Sequence, residues 1–449
     1  MKEITIDSLN KYEKDFDSER FNEIAMNAVV SNGIDKSAVN YSEVRRARHN
    51  YSITIETGDI TNQKQSGRCW MFAALNLMRI EVMRNLNLKT MELSQSYPLF
   101  YDKLEKTNYF LDSIIKTVNE PLEERLVSHL LTDPLCDGGQ WDMFVNLVKK
   151  YGVVPKDAMP ESISSSATKE LDRYLTLKLR EFAHTIRSSY ENGKSIDDLY
   201  DMKDDMLNTI YRMLSISLGK PPKEFTYEIT DKNGKFIRIE NITPVEFFNK
   251  YVDIELDDYI SIINAPTKDK PYGKTFTVDY LGNVAEGREI KYLNLPIDDL
   301  KLLAIKQLKD DKAVWFGSDV GQFSTREGGI LSTTLFDVDH LYSTTFPLTK
   351  EERLNYHESL MTHAMLLTGV NLDDENTPNR WRVENSWGKD VGKDGFYVMT
   401  DEWFDEFVYQ VVINKKYLSK EQLEMYEQDP IRLKPWDPMG SLAKNNGLY

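Results

Sequence analysis

Residues 62–76 read NQKQSGRCWMFAALN. They place Cys69, one of two cysteines in 449 residues, between Arg68 and Trp70, where an apolar helix begins. Beyond it Phe72, Ala73, Leu75, Leu77, Ile80 and Val82 make that helix apolar on several sides. Such a helix is expected inside a large core rather than on a surface. Its first residue is then a core thiol, a metal ligand, a redox centre or a nucleophile, and the remaining sequence has to separate these.

A structural zinc site wants cysteine or histidine pairs at short spacing. The second cysteine is Cys136, and the histidines at 49, 129, 184, 340, 357 and 363 form no HExxH pair. Cys-x-x-Cys is absent, which removes the redox motif. REGGIL and GKDG lack the spacing of phosphate-binding loops. No metal or cofactor is expected. A buried structural thiol is the ordinary fate of a cytosolic cysteine, but the surroundings of Cys69 are unusual. A thiol at a helix N-terminus meets unpaired N–H groups and the positive end of the helix dipole. That setting is expected to lower its pKa from ~8.5 to within ~3.5–7.5 and give thiolate at neutral pH. Gly67 lets the chain turn into the helix, and Gln63 offers a side-chain amide as donor to an oxyanion.

A thiol nucleophile needs a base and a group to orient it. MTHAMLLTGV puts His363 at the start of an apolar strand, and RWRVENSWG supplies Asn385 with Trp387 beside it. An asparagine oxygen can accept from one imidazole nitrogen and leave the other for the thiol. The ordered set of Gln, Cys, His and Asn-Ser-Trp describes a cysteine acyl-transfer enzyme.

Composition fits a globular enzyme, with 41% hydrophobic and 29% charged residues. A formal net charge of −16 without a basic block makes nucleic acid an unlikely partner. The charged N-terminus MKEITIDSLNKYEKDFDSER lacks a signal-peptide core. No apolar run approaches the ~20 residues that span a bilayer. Two cysteines cannot build a disulfide framework. A cytoplasmic location with no membrane partner is the expectation.

Helical patterns come first along the chain: FNEIAMNAVVSNGI, the helix after Cys69, and a third through Met143, Val145, Leu147 and Val148 that stops at Tyr151-Gly152. PESISSSATKE marks a boundary. Two amphipathic helices follow, separated by ENGKS. From about residue 225 short strands dominate, among them DYISIINAP, YGKTFTVDYL, AVWFGSDV, HAMLLTGV, RWRVENSW and GFYVMTDEWF. Helices first and strands afterwards argue for an α+β fold. The end, IRLKPWDPMGSLAKNNGLY, reads as an extended tail.

NQKQSGRCWMFA, MTHAM and RWRVENSWG resemble the papain clan of cysteine peptidases, and more closely the bleomycin hydrolase and bacterial aminopeptidase C family. Further segments from FNEIAMNAVVSNGI through CDGGQW and AVWFGSDVG to WDPMG carry the likeness along nearly the whole chain. The resemblance implies a two-lobed papain-like α+β fold with a helical insertion and a C-terminal arm. Its expected parts are an N-terminal wrapping segment (1–60), a helical half with the nucleophile (61–160), the insertion (161–224), a β-rich half with the base (225–415) and the arm (416–449). By the same resemblance Cys69 is the nucleophile, His363 the base, Asn385 its orienter, and Gln63 with the Cys69 N–H the oxyanion hole. Trp387 would shield the His363–Asn385 bond, and Gly138 and Gly139 would line the substrate cleft. The implied activity is removal of N-terminal residues from peptide substrates by a homohexamer. A Cys-His acyltransferase or transglutaminase-like enzyme is the alternative, though such enzymes usually carry Asp as third member. Secreted papain-like enzymes have a cysteine where this chain has Ser66; its usual disulfide partner corresponds to Cys136, which is left unpaired. The family arm ends near Ala443, whereas KNNGLY follows here.

Overall fold

The computed structural model of the chain describes residues 1–444. Its centre is the helix Cys69–Asn85, in which fourteen residues from Cys69 to Met83 are buried. Polar positions are few enough that burial on every side costs little, as the sequence pattern implies. The helix lies against the strand His363–Leu372. That strand sits inside a sheet which, among the described residues, has twelve strands. Around it the order is Tyr259–Ile263, Val408–Asn414, Val314–Ser318, His363–Leu372, Pro378–Glu384 and Phe396–Thr400, each antiparallel to the next. The α+β reading therefore holds.

Helix Ser96–Lys116 packs on the neighbour of the central helix, Trp141–Tyr151. The latter stops at Gly152, whose φ of 73° suits glycine. The amphipathic pair beyond it spans Lys169–Glu191 and Ile196–Leu218 and packs on Ser96–Lys116. Leu175, Leu179, Ile186, Leu199, Ile210 and Leu214 are wholly buried there.

Two local expectations change. In GFYVMTDEWF only Phe396–Thr400 is strand, and Asp401–Phe407 is helix. Thr400 caps that helix by accepting from the Trp403 N–H, and Asp401 and Glu402 fill its first turn, so capping outranks the aromatic content. The tail is not extended throughout. Pro438–Ala443 forms a 3₁₀ turn capped by Asp437, with Pro438 supplying the fixed φ that a first helical position favours. Residues 445–449 of KNNGLY lie outside the described residues.

One ion pair crosses the core. Arg79 of the central helix meets Glu384 at 2.8 Å, with side chains 1% and 0% exposed. Arg79 also donates to the Asp59 carbonyl at 2.5 Å. Burial pushes the Glu384 carboxyl up, and Arg79 pulls it down. Removing one partner leaves an uncompensated buried charge, so Arg79→Met is expected to cost about 3–5 kcal/mol. Arg79→Met with Glu384→Leu should recover much of that loss. Urea unfolding followed by circular dichroism measures both, and equal losses in the single and double variants would show that the pair is not the origin.

Candidate active site

Antiparallel pairing brings the two halves of the candidate base together. His363 opens its strand, and Asn385 directly follows Glu384, which pairs with Leu366. Twenty-two residues of sequence thus close into one hairpin end, where His363 Nε2 lies 2.9 Å from Asn385 Oδ1. With Nε2 donating to that oxygen, Nδ1 is the nitrogen left as acceptor. The Trp387 ring lies 4.9 Å from the imidazole, centre to centre, and covers it. Arg326 stacks on Trp387 at 4.7 Å.

Cys69 opens the central helix and is 2% exposed. Its sulfur is within reach of the backbone N–H of Ala364, the residue after His363, and of those of Trp70 and Cys69 itself. The thiol is therefore beside the histidine strand. Two effects oppose each other on the Cys69 thiol: burial pushes it up to about 11, and the Ala364 and Trp70 N–H groups pull it down. A helix terminus is worth about 0.3–1 kcal/mol, whereas a rise from 9.0 to about 11 amounts to about 3 kcal/mol. Desolvation wins. It likewise lowers His363 to about 4, with Asn385 pulling the other way. A lone ion of either kind is penalised in this dry site. A proton moved from a thiol to an imidazole creates the two charges together rather than either one alone.

Gln63 is buried at 2% exposure and held at both ends. Its Nε2 donates to the Ser66 carbonyl at 2.6 Å, and its Oε1 accepts from Ser386 Oγ at 2.7 Å. Its backbone N–H donates to the Ser386 carbonyl at 2.8 Å, while the Ser386 N–H donates to Asn385 Oδ1 at 2.8 Å. One Nε2 proton remains for an oxyanion. Sequence reading missed Ser386, which joins Gln63 to Asn385, although it stands inside the Asn-Ser-Trp motif.

Gly138 and Gly139 face different ways. A Cβ on Gly139 would lie 2.5 Å from the Trp70 ring, so its bare side makes room for the residue after the nucleophile. A Cβ on Gly138 would lie 2.2 Å from the Leu442 carbonyl oxygen. The tail therefore runs through the groove that Gly138 borders. Ser441 Oγ donates to the Met361 carbonyl at 2.8 Å, two residues before His363. The Cys136 thiol, which is free and buried, donates to the Ala443 carbonyl at 3.0 Å. The 3₁₀ turn thus spans both walls beside Cys69 and His363. Lys106 fixes one wall by donating to the Cys136 and Gly138 carbonyls at 3.0 and 2.6 Å. Among the described residues no three His, Cys, Asp or Glu side chains are grouped to hold a metal ion.

A thiol on a helix N-terminus, packed against a sheet that presents a His–Asn pair, is the arrangement of a papain-like cysteine peptidase. The chain belongs to the Peptidase C1-like family, which matches residues 3–440. It is 48% identical over 441 residues to the aminopeptidase C of Listeria innocua, covering 98% of this chain and 99% of that one. The bleomycin hydrolase of Gallus gallus is 43% identical over 401 residues, 88% of each chain. The crystal structure of PepW from Lactobacillus rhamnosis superposes with a TM-score of 0.96 at 50% identity, covering 98% of this chain and 99% of that one.

Cys69→Ala is expected to abolish peptide hydrolysis with the fold intact, whereas Cys136→Ser keeps an O–H donor for Ala443 and most of the activity. The reverse outcome would overturn the assignment of the nucleophile. Gln63→Ala should lower kcat by on the order of 10²–10³, the usual loss for one oxyanion donor. Steady-state kinetics decide this, and a pure KM effect would contradict the oxyanion role.

Proposed function

We propose that this protein is a cysteine aminopeptidase in which Cys69 is the nucleophile, His363 the proton carrier, Asn385 its orienter and Gln63 an oxyanion donor. As the Cys69 sulfur attacks the scissile carbonyl carbon, its proton passes to His363 Nδ1. The carbonyl oxygen takes the charge between the Cys69 N–H and the Gln63 amide. Collapse breaks the C–N bond, and His363 returns the proton to the leaving amine, leaving a thioester. His363 then takes a proton from water, whose oxygen attacks the thioester, and the thiol is regenerated as the acid departs.

The observation that carries the exopeptidase reading is the buried Pro438–Ala443 turn seated across the cleft. A peptide entering there would meet the Pro438–Ala443 turn after a short stretch, which favours substrates with little on the amino side of the scissile bond. Peptides are the proposed substrates, with no nucleic acid or membrane partner. Among the described residues no helix is long and apolar enough to cross a membrane. A cytoplasmic location fits the two free thiols.

A homohexamer fits the N-terminal segment. Helices Ile6–Asp17 and Arg20–Asn32 expose Ile6, Leu9, Tyr12, Phe16, Phe21 and Ile24, each more than 40% accessible in the single chain. Exposed apolar residues in series suit a covering subunit.

Removing residues 436–449 is expected to open the cleft and add hydrolysis of N-acetylated peptides, while stopping after Ala443 preserves the aminopeptidase activity. Assays of both truncations on free and N-acetylated peptides test this. An unchanged preference for free amines in the longer deletion would place exopeptidase specificity elsewhere.

A further inference from the structure

The turn Gln63–Arg68, which delivers Gln63 and the Cys69 N–H, is held by ionic and polar ties. Asp137 lies in the CDGGQ segment and is 5% exposed. Its Oδ2 accepts from the Gly67 N–H at 2.7 Å and from Thr168 Oγ1. Its Oδ1 meets Lys103 Nζ at 2.7 Å, and the same ammonium, fully buried, reaches Asp172 Oδ1 at 2.5 Å. The Asp137 carbonyl accepts from the Trp70 indole at 2.7 Å.

The base of the helical insertion supplies the rest. The Gln65 N–H donates to the Ser166 carbonyl at 3.0 Å, and the Thr168 N–H to the Gln65 carbonyl at 3.3 Å. Arg68 makes a two-pronged pair with Glu161 at 2.9 and 2.8 Å. Arg68 Nε donates to Ser66 Oγ, which donates to the Gln63 carbonyl at 2.7 Å. Every residue of the turn from Gln63 to Arg68 except Lys64 is thus tied to Asp137, to the insertion or to another member of the turn.

We infer that Asp137, clamped by Lys103 and Asp172, is a positioning residue for the peptidase reaction: its carboxylate fixes the Gly67 amide and so the turn that aims the oxyanion donors. The link joins the nucleophile turn to the CDGGQ segment, the two segments whose Ser66 and Cys136 have no sulfur–sulfur bond between them. Lys103 keeps the carboxylate ionised, holding its pKa well below the usual carboxylate range despite complete burial. A charged acceptor makes the stronger hydrogen bond to the Gly67 N–H.

The inference rests on Cys69 being the nucleophile, which Cys69→Ala tests by itself. The experiment compares the full-length protein with Asp137→Asn, Asp137→Ala and Lys103→Met. Two rates are read, peptide turnover per alkylatable Cys69 and alkylation of Cys69 by iodoacetamide. In alkylation the sulfur displaces iodide and no tetrahedral oxyanion forms, so the aim of Gln63 does not matter. Misaimed donors should lower kcat by ~10 to ~10²-fold. KM and the alkylation rate should stay within about twofold of wild type. A kcat within about twofold of wild type in both Asp137 variants overturns the inference, as does alkylation falling in step with turnover. Should Lys103→Met fail to fold, the Asp137 pair alone decides.

Discussion

The Arg79–Glu384 ion pair joins the helix that carries Cys69 to the strand that delivers Asn385. Its partners are 305 residues apart in sequence. Glu384 is the last residue of its strand, so fixing its carboxylate also fixes the backbone on which Asn385 leaves the sheet. Arg79 is ten residues past Cys69, about 15 Å along the helix axis at 1.5 Å per residue. The pair thus acts as a far anchor, setting how the helix lies on the sheet while Cys69 adjoins the start of the His363 strand at the near end. Apolar side chains of equal volume would pack as well and often better. They would not specify one register between helix and strand as strictly.

Burial imposes an opposing demand at the near end. The same dry packing that aligns Cys69, His363 and Asn385 penalises each isolated ion among them. Within it the Asn385 oxygen accepts the hydrogen bond that His363 Nε2 donates, which leaves Nδ1 as the acceptor of the imidazole. A proton passed from a thiol to an imidazole makes a dipole rather than a net charge, and a dipole costs far less in a low-dielectric setting. In the proposed reaction the Cys69 thiol is activated as an oxyanion forms beside the Cys69 N–H and the Gln63 amide.

Much of this was legible in residues alone. The helix after Cys69 reads as apolar on several sides, and fourteen of its residues are buried. His363 at a strand start and Asn385 past a strand end meet because one hairpin spans them. What stayed hidden is polar and non-local. Arg79 and Glu384 look like surface charges until the fold pairs them, and Asp137 looks like a loop residue until Lys103 and Gly67 close on it. At the thiol, a sequence displays the helix terminus but not the desolvation that opposes it. The helix Asp401–Phe407 was misread for a different reason: Thr400, Asp401 and Glu402 are a capping signal that the aromatic residues masked.

The two adjacent glycines show how tightly the tail is coupled to the helix that carries Cys69. Gly139 gives up its side chain to the Trp70 ring, and the Trp70 indole is held by the Asp137 carbonyl. Gly138, one residue on the other side, gives up its own to the Leu442 carbonyl of the tail. A wall only one residue thick therefore separates the helix that carries the thiol from the turn that narrows the cleft. Lys106 stiffens that wall by binding the Cys136 and Gly138 carbonyls and pairing with Asp102 at 2.7 Å. Any shift of the tail large enough to push on Gly138 is transmitted to carbonyls that a buried ammonium holds. Specificity at the mouth of the cleft and alignment at its floor consequently depend on the same short run of backbone, and this chain secures that run with charge where a disulfide would otherwise serve.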